Sequence, residues 1–208
     1  MYSDIRSLRR RIEKAAQRAL AAAGLKPHDK VTIVLAPTAP ALAALRVTVA
    51  IERRYDAQIE AVLLSSNPLL EEALESETVP YRVIPAGRPT PTDVLAAALR
   101  ERLRGRVPIT TLTADDIALA ALADALQPPS VNAVLEVLAK PAHSLVRISA
   151  AEASAYAEAI DPRANLLPRT LYAPAPLLQL LTLTDPHAPR SLHQTLARTL
   201  DLARRTRA

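Results

Sequence analysis

Apolar and polar positions alternate along the first half of the chain in blocks that predict strands and helices in turn. Residues 31–35 form an almost wholly apolar run, which ends at the turn Pro37-Thr38-Ala39-Pro40. An apolar helix pattern follows, and residues 59–64 repeat the strand pattern. Two strands joined by a helix predict a parallel βαβ unit with a right-handed crossover.

The same alternation extends in both directions from this unit. An amphipathic helix over residues 4–23 precedes it, with Gly24 as its expected C-cap. The later elements are predicted as a helix from Pro68, strands at 81–84 and 107–112, a helix capped by Thr92 or Asp93, a helix capped by Thr113 or Asp115, a helix at 131–138, a strand at 145–148, a helix at 151–160 capped by Ser149, and a final helix from Ser191.

This order predicts an α/β fold with a mainly parallel sheet flanked by helices, and a more helical C-terminal portion. The predicted division is a core over residues 1–128 and a helical or mixed portion over residues 129–208. The second portion is either a separate unit or part of the same domain, because the character of the sequence shifts after Gln127-Pro128-Pro129.

Composition narrows the classes of function. Half of the 208 residues are apolar, but Phe and Trp are absent. Cys is absent as well, which excludes disulfides and thiolate metal sites. No run of 18 apolar residues predicts a membrane span, so the expected compartment is the cytoplasm. Three glycines and eighteen prolines indicate stiff loops, as in thermophilic proteins.

The net charge of +5 comes mainly from arginine and permits contact with nucleic acid. The alternative interpretation is a set of solvated arginines whose stems cover apolar surface. Besides Arg9 and Arg10, the candidates for nucleic-acid contact are Arg53, Arg54, Arg204, Arg205 and Arg207.

Catalytic motifs are not found. The chain has neither GxGxxG nor GxxxxGK[ST], and its four histidines lack the spacing of a helical zinc site. Asp115-Asp116 is the one tight acidic pair that follows a strand, and it fits either a metal site or a helix cap. The sequence therefore predicts no metal, no cofactor and no catalytic residue.

Two segments resemble the cell division control protein 45 family. Met1-Tyr2-Ser3-Asp4-Ile5-Arg6, a helix and then VLAPTAPALAA are similar to its N-terminus, and IEAVLLSSNPLLEEALES is similar to its next strand and helix. That family belongs to the DHH phosphoesterases and is related to RecJ nucleases. The resemblance covers residues 1–76 and implies a DHH-type domain.

The resemblance also implies a role in archaeal DNA replication. Thr38 and Pro40 stand where the family pattern has metal-binding aspartates, so a member of this kind would be a pseudoenzyme without nuclease activity. The expected partners are the GINS complex and the MCM helicase, with single-stranded DNA as a further candidate and no membrane. The candidate partner-binding residues are Leu177, Leu178, Leu181, Leu192, Leu196 and Leu200.

Two alternatives stay open at this point. The first is a divergent metal-dependent phosphoesterase or exonuclease that uses Asp115, Asp116 and Asp93. The second is an arginine-rich module that binds nucleic acid and weakens steeply with salt.

Overall fold

The computed structural model describes residues 5–22, 24–52, 56–117, 142–145 and 148–171. Its helices and strands, in chain order, are α1 (Ile5–Ala22), β1 (Lys30–Leu35), α2 (Ala39–Glu52), β2 (Gln58–Leu64), α3 (Pro68–Ser76), β3 (Tyr81–Ile84), α4 (Pro91–Leu103), β4 (Val107–Thr113), β5 (Ala142–Leu145), α5 (Ala150–Ile160) and a 3₁₀ helix (Pro162–Leu166).

The strands form one parallel sheet in the order β3-β2-β1-β4-β5. In the central strand β1, Ile33 lies opposite Ala61 of β2 and Ile109 of β4. Residues Val31–Leu35 of β1 are fully buried, as expected of a parallel strand that is covered on both faces. The predicted α/β class, with a mainly parallel sheet flanked by helices, is confirmed.

Alternate residues of β1 face the two layers of helices. Val31, Ile33 and Leu35 belong to the larger apolar core, whereas Val34 belongs to the smaller one. The buried faces of α1, α2, α3 and α5 all lie in the larger core. The buried face of α4, with Val94, lies in the smaller core, so the two layers cover opposite faces of the sheet.

Helix ends follow local capping chemistry. Gly24, at φ +75°, follows α1, and the N–H of Leu25 donates to the carbonyl of Leu20 at 3.2 Å, so the predicted glycine cap is confirmed. At α5 the hydroxyl of Ser149 accepts from the N–H of Glu152 at 3.3 Å, as predicted. The predicted cap of α4 at Thr92 or Asp93 is wrong, because Thr90 is the N-cap.

The sequence of α4 explains that correction. Pro91 occupies the first helical turn, and Asp93 is the third helical residue, whose carboxylate accepts the N–H of Thr90 at 2.8 Å. A similar correction applies to β5, which begins at Ala142 rather than at the predicted Leu145. Its register is set by pairing with β4, where Ala142 lies opposite Ile109.

Several predictions fall outside the described residues. These are the helix at 131–138, the helix from Ser191 and the boundary near residue 128, all of which stay predictions. In the described part of the chain, no helix is both long and apolar enough to cross a membrane. The cytoplasmic compartment stays a prediction.

Candidate functional site

The strand order places a topological switch point between β1 and β4. From β1 the chain moves outward through β2 to β3, and then returns past β1 to β4. In open parallel sheets, ligands bind outside the carboxyl ends of the strands at such a point. Here that carboxyl edge is formed by residues 36–40 after β1, and by Thr113 at the end of β4 with residues 114–116 after it.

The turn after β1 has no free N–H group at the start of α2. Thr38 is buried, and its hydroxyl accepts the N–H of Ala41 at 3.3 Å. The N–H of Ala39 donates to the carbonyl of Pro168 at 2.9 Å, and Pro40 has no N–H. Helix N-termini bind anions through such N–H groups, so this terminus is already occupied by the protein itself.

Asp116, after β4, is likewise held by the protein's own donors. Its Oδ2 accepts the N–H of Thr113 at 2.9 Å and the hydroxyl of Thr113 at 2.7 Å. Its Oδ1 accepts the N–H of Leu171 at 3.1 Å. Burial raises the pKa of Asp116, and the hydrogen bonds from Thr113 and Leu171 oppose that effect. This carboxylate caps the helical turn that begins at Ala114.

Asp115 has a separate structural bond, because its Oδ2 accepts the N–H of Ala150 at 2.5 Å. Asp93 lies in the capping box of α4. Among the described residues, no group of three His, Cys, Asp or Glu side chains could hold a metal ion. The structure therefore does not bring Asp115, Asp116 and Asp93 together as the phosphoesterase alternative requires.

Residues 161–171 cover the carboxyl edge, and we call them the covering segment. Pro168 reaches the turn after β1, and Leu171 reaches Asp116 after β4. Ala164 and Leu167 are buried in the larger core. The chain thus fills the crevice at its own switch point with its own backbone.

The charged candidate surface lies on α1. This helix carries six basic residues and one acidic residue, a net charge of +5, which equals the net charge of the whole chain. Its core side is Leu8, Ile12, Ala16 and Leu20, all buried. We call its opposite side, with Arg6, Arg10, Lys14 and Arg18, the basic face.

Ion pairs leave most of the basic face without acidic partners. Arg9 pairs with Glu13 at 2.7 Å, and Arg11 pairs with Glu152 of α5. Within the described ranges, no ion pair joins Arg10, Lys14 or Arg18 to an acidic residue, and all three are exposed. Like charges four residues apart on a helix repel each other, so this face costs stability.

The helix dipole does not stabilise this arrangement either. The first turn of α1 contains no acidic residue, and its last turn contains no basic residue, so the helix lacks both features that the dipole favours. Residues that break a local stability rule concentrate at functional sites. Sequence reasoning noted these residues as a polar helix side, but missed that they form one uninterrupted line of positive charge.

The other site residues taken from the sequence are distributed differently. Thr38 and Pro40 lie at the carboxyl edge, as expected, and both are buried. The remaining candidates lie outside the described residues: Arg53, Arg54, Arg204, Arg205, Arg207, Leu177, Leu178, Leu181, Leu192, Leu196 and Leu200.

Comparison with known proteins gives a likeness of fold. No family model and no curated protein sequence matches the chain. The U34-tRNA thiolase NcsA from Methanococcus maripaludis, a structure with a [4Fe-4S] cluster, is similar with a TM-score of 0.66 and 13% identity, over 95% of this chain and 80% of the thiolase. The chain has the fold of this thiolase.

A second solved structure is also similar. The NH3-dependent NAD synthetase from Campylobacter jejuni has a TM-score of 0.49 and 14% identity, over 95% of this chain and 93% of the synthetase.

The iron–sulfur cluster of the thiolase does not transfer to this chain, which has no cysteine to supply thiolate ligands.

The predicted membership of the DHH and RecJ proteins is therefore wrong, because the fold is that of the thiolase. The predicted non-catalytic replication factor is wrong for the same reason, and so is the prediction that the chain is not an enzyme, since the matching fold is that of an enzyme. The phosphoesterase alternative is also unsupported. Thr38 and Pro40 lie at the start of α2, and their interpretation as degenerate motif positions stays a prediction that depended on the DHH resemblance.

The misleading signal has a physical origin. A β-branched strand followed by an Ala- and Leu-rich helix is the pattern of any buried βαβ unit, and it recurs in unrelated parallel folds.

Nothing in the structure tests the predicted partners, which were GINS, MCM and single-stranded DNA. They stay predictions.

Proposed function

We propose that this protein binds RNA through the basic face of α1. The proposal rests on one observation, the net charge of +5 on a single exposed helix whose opposite side is buried in the core. Electrostatic attraction to phosphates supplies most of the sequence-independent affinity for nucleic acids. A helix with basic residues along one face is a typical electrostatic footprint of such binding.

The spacing of the charges suits an extended polyanion. Four residues of helix correspond to about 6 Å along its axis, so Arg6 and Arg18 are separated by about 18 Å. Arg10 and Lys14 lie between them. A nucleic-acid strand that follows this line meets a separate cation at each turn of the helix.

RNA is favoured over DNA by the fold likeness, since the similar solved structure is named as a tRNA thiolase. The position of α1 agrees with a role beside the carboxyl edge. Arg11 pairs with Glu152 in the first turn of α5, and that turn follows the carboxyl end of β5. RNA bound along α1 therefore extends toward the edge where parallel α/β folds place their ligands.

The test is fluorescence anisotropy with a labelled RNA stem-loop, measured from about 50 mM to about 200 mM salt. We expect salt-dependent binding by the native protein. The variant Arg10→Gln, Lys14→Gln, Arg18→Gln should reduce the slope of log K against log salt by about 2 to 3, because up to three phosphate contacts are lost.

The matched control removes the same charge elsewhere. Lys26→Gln, Lys30→Gln, Arg100→Gln changes three exposed cations that lie outside α1. We expect this control to retain most of the affinity. An equal loss of RNA affinity in both triple variants would mean that binding depends on net charge alone and not on the basic face. Tighter binding to DNA of the same sequence would contradict the RNA assignment.

A further inference from the structure

A second charged region lies at the opposite edge of the sheet from the switch point. A cleft of 190 Å³ opens between the amino-terminal parts of β2 and β3 and the loop after α4. We call it the arginine cleft. It is lined by Glu60, Ala61, Pro80, Tyr81, Arg82, Arg104 and Arg106.

A buried carboxylate fixes two of the three arginines. Glu101 of α4 is 2% exposed, and its Oε1 accepts from Arg82 and, at 3.1 Å, from Arg104. The third arginine, Arg106, donates to Glu60 at 2.5 Å. The hydroxyl of Thr32 on β1 lies 3.4 Å from Glu60 and 3.5 Å from Glu101.

These contacts leave a positive excess in the cleft. Three guanidinium groups face two carboxylates, so the local net charge is +1. Two of the guanidinium groups share one carboxylate oxygen, although each has five N–H donors in a planar fork. Most of their donors are therefore free of the carboxylates.

One of those donors is buried. The Nε of Arg82 is inaccessible and has no hydrogen-bond acceptor among the described residues. A buried donor without an acceptor is costly, and native structures rarely keep one without a reason. The hydrogen-bonding capacity of Arg82 is therefore not satisfied by the described residues alone.

We propose that the arginine cleft binds a phosphate group. Arginine forks match phosphate oxygens two at a time, and three forks around one opening suit a tetrahedral dianion better than a single carboxylate. Because one water takes about 30 Å³ in the liquid, the cleft has room for a phosphate and several waters. Pro80 supplies an apolar part of the cleft wall beside the arginines.

The phosphate comes either from a small phosphate monoester or from the backbone of RNA. The cleft belongs to the amino edge, and the argument for it uses none of the residues of α1. Failure of RNA binding at the basic face therefore leaves this proposal unaffected, and the two are tested separately.

The experiment is calorimetric titration of the full chain with inorganic phosphate, with sodium acetate at the same ionic strength as the reference anion. We expect phosphate to bind and acetate to bind much more weakly. Arg104→Gln should weaken phosphate binding by about tenfold, because a charge-assisted hydrogen bond is lost. Arg104 is largely exposed and Glu101 keeps Arg82, so this variant should fold normally.

A variant that is expected to tighten phosphate binding makes the test independent of folding defects, because a folding defect would weaken it. Glu60→Gln removes the carboxylate that competes for Arg106 and should tighten phosphate binding several-fold. The matched control is Arg100→Gln, which removes an exposed charge one turn earlier on α4 and should leave the affinity unchanged. Absence of phosphate binding by the native chain, or equal affinities in all three variants, would overturn the proposal.

The source of the phosphate is read from the same titration with saturating RNA present. Competition assigns the cleft to an RNA phosphate, whereas unchanged affinity assigns it to a small phosphorylated ligand. Both results require that the native chain binds phosphate and that Arg104→Gln weakens it.

Discussion

The two edges of this sheet differ in how their polar and charged groups are paired. At the carboxyl edge, backbone groups and the carboxylate of Asp116 satisfy each other, and the covering segment closes the crevice. At the amino edge, the arginine cleft is open and has more cations than anions. The comparison teaches that a fold predicts where a ligand usually binds. The polar groups that the protein does not satisfy internally predict where a ligand can bind in this chain.

The closed carboxyl edge is tested most severely by Asp116→Ala. This change removes the acceptor for Thr113 and Leu171, and buried donors without an acceptor are costly. We expect a loss of about 4 kcal/mol in the free energy of unfolding, measured with urea. Asp93→Ala, in the exposed capping box of α4, should cost only about 1 kcal/mol. Equal costs would mean that the edge is not closed by Asp116.

The pH dependence gives an independent readout of the same carboxylate. Burial raises the pKa of Asp116 above its value in the unfolded chain. Between these two pKa values the native state binds more protons than the unfolded state, so this group lowers stability as the pH rises through that window. Asp116→Asn should remove this contribution, measured as the difference in slope of unfolding free energy against pH. Parallel curves for both proteins would contradict it.

The covering segment offers a matched pair of adjacent leucines. Leu167 is 9% exposed and lies in the larger core, whereas Leu166 is 81% exposed. We expect Leu167→Ala to lower the free energy of unfolding by about 3 kcal/mol, through lost burial and a cavity. Leu166→Ala should change it by less than about 0.5 kcal/mol. Similar small effects from both would show that the segment does not pack on the edge.

At the amino edge, Glu101→Gln sharpens the contrast. The change keeps the volume of the side chain but leaves Arg82 and Arg104 without their buried carboxylate. We expect a loss of about 2 kcal/mol in thermal or urea unfolding. Glu75→Gln, on an exposed face of α3, serves as the control and should have little effect. A neutral result for Glu101→Gln would mean that the arginines are not held by it.

The smallest effect is expected from Arg163→Gln. Arg163 pairs with Asp161 at 2.8 Å and with Glu72 at 2.9 Å, and it lowers the pKa of both carboxyl groups. The stability that these pairs contribute is present above the unfolded pKa values and is lost as the pH falls through the folded ones. The variant should therefore lose less stability on acidification. Since the groups are exposed, high salt should erase the difference, and a difference that survives salt would contradict this account.

Apolar runs between proline, glycine and polar turns were sufficient to predict β1 to β4, because a buried parallel strand has little choice of composition. The same reasoning misplaced β5, whose start depends on pairing with β4 and not on its own residues. The cap of α4 could have been found, since Thr90 and Asp93 have the spacing of a capping box around Pro91.

The candidate sites were less accessible to sequence reasoning. The basic face could have been found from the four-residue spacing of Arg6, Arg10, Lys14 and Arg18, which is visible in the sequence. The arginine cleft could not, because Glu60, Arg82, Glu101 and Arg106 come from four different segments of the chain. Only the strand order and the end of α4 bring them together. Nothing in the sequence indicated that residues 161–171 would close the carboxyl edge.

The covering segment has a consequence for the order of folding. The first N–H group of α2, on Ala39, donates to the carbonyl of Pro168. Pro168 follows all five strands in the sequence, so it is synthesised after them. Contacts so distant in sequence form late, since the loop between them must be closed first. During synthesis the carboxyl edge therefore stays hydrated and open, and it becomes sealed only when the last described segment docks.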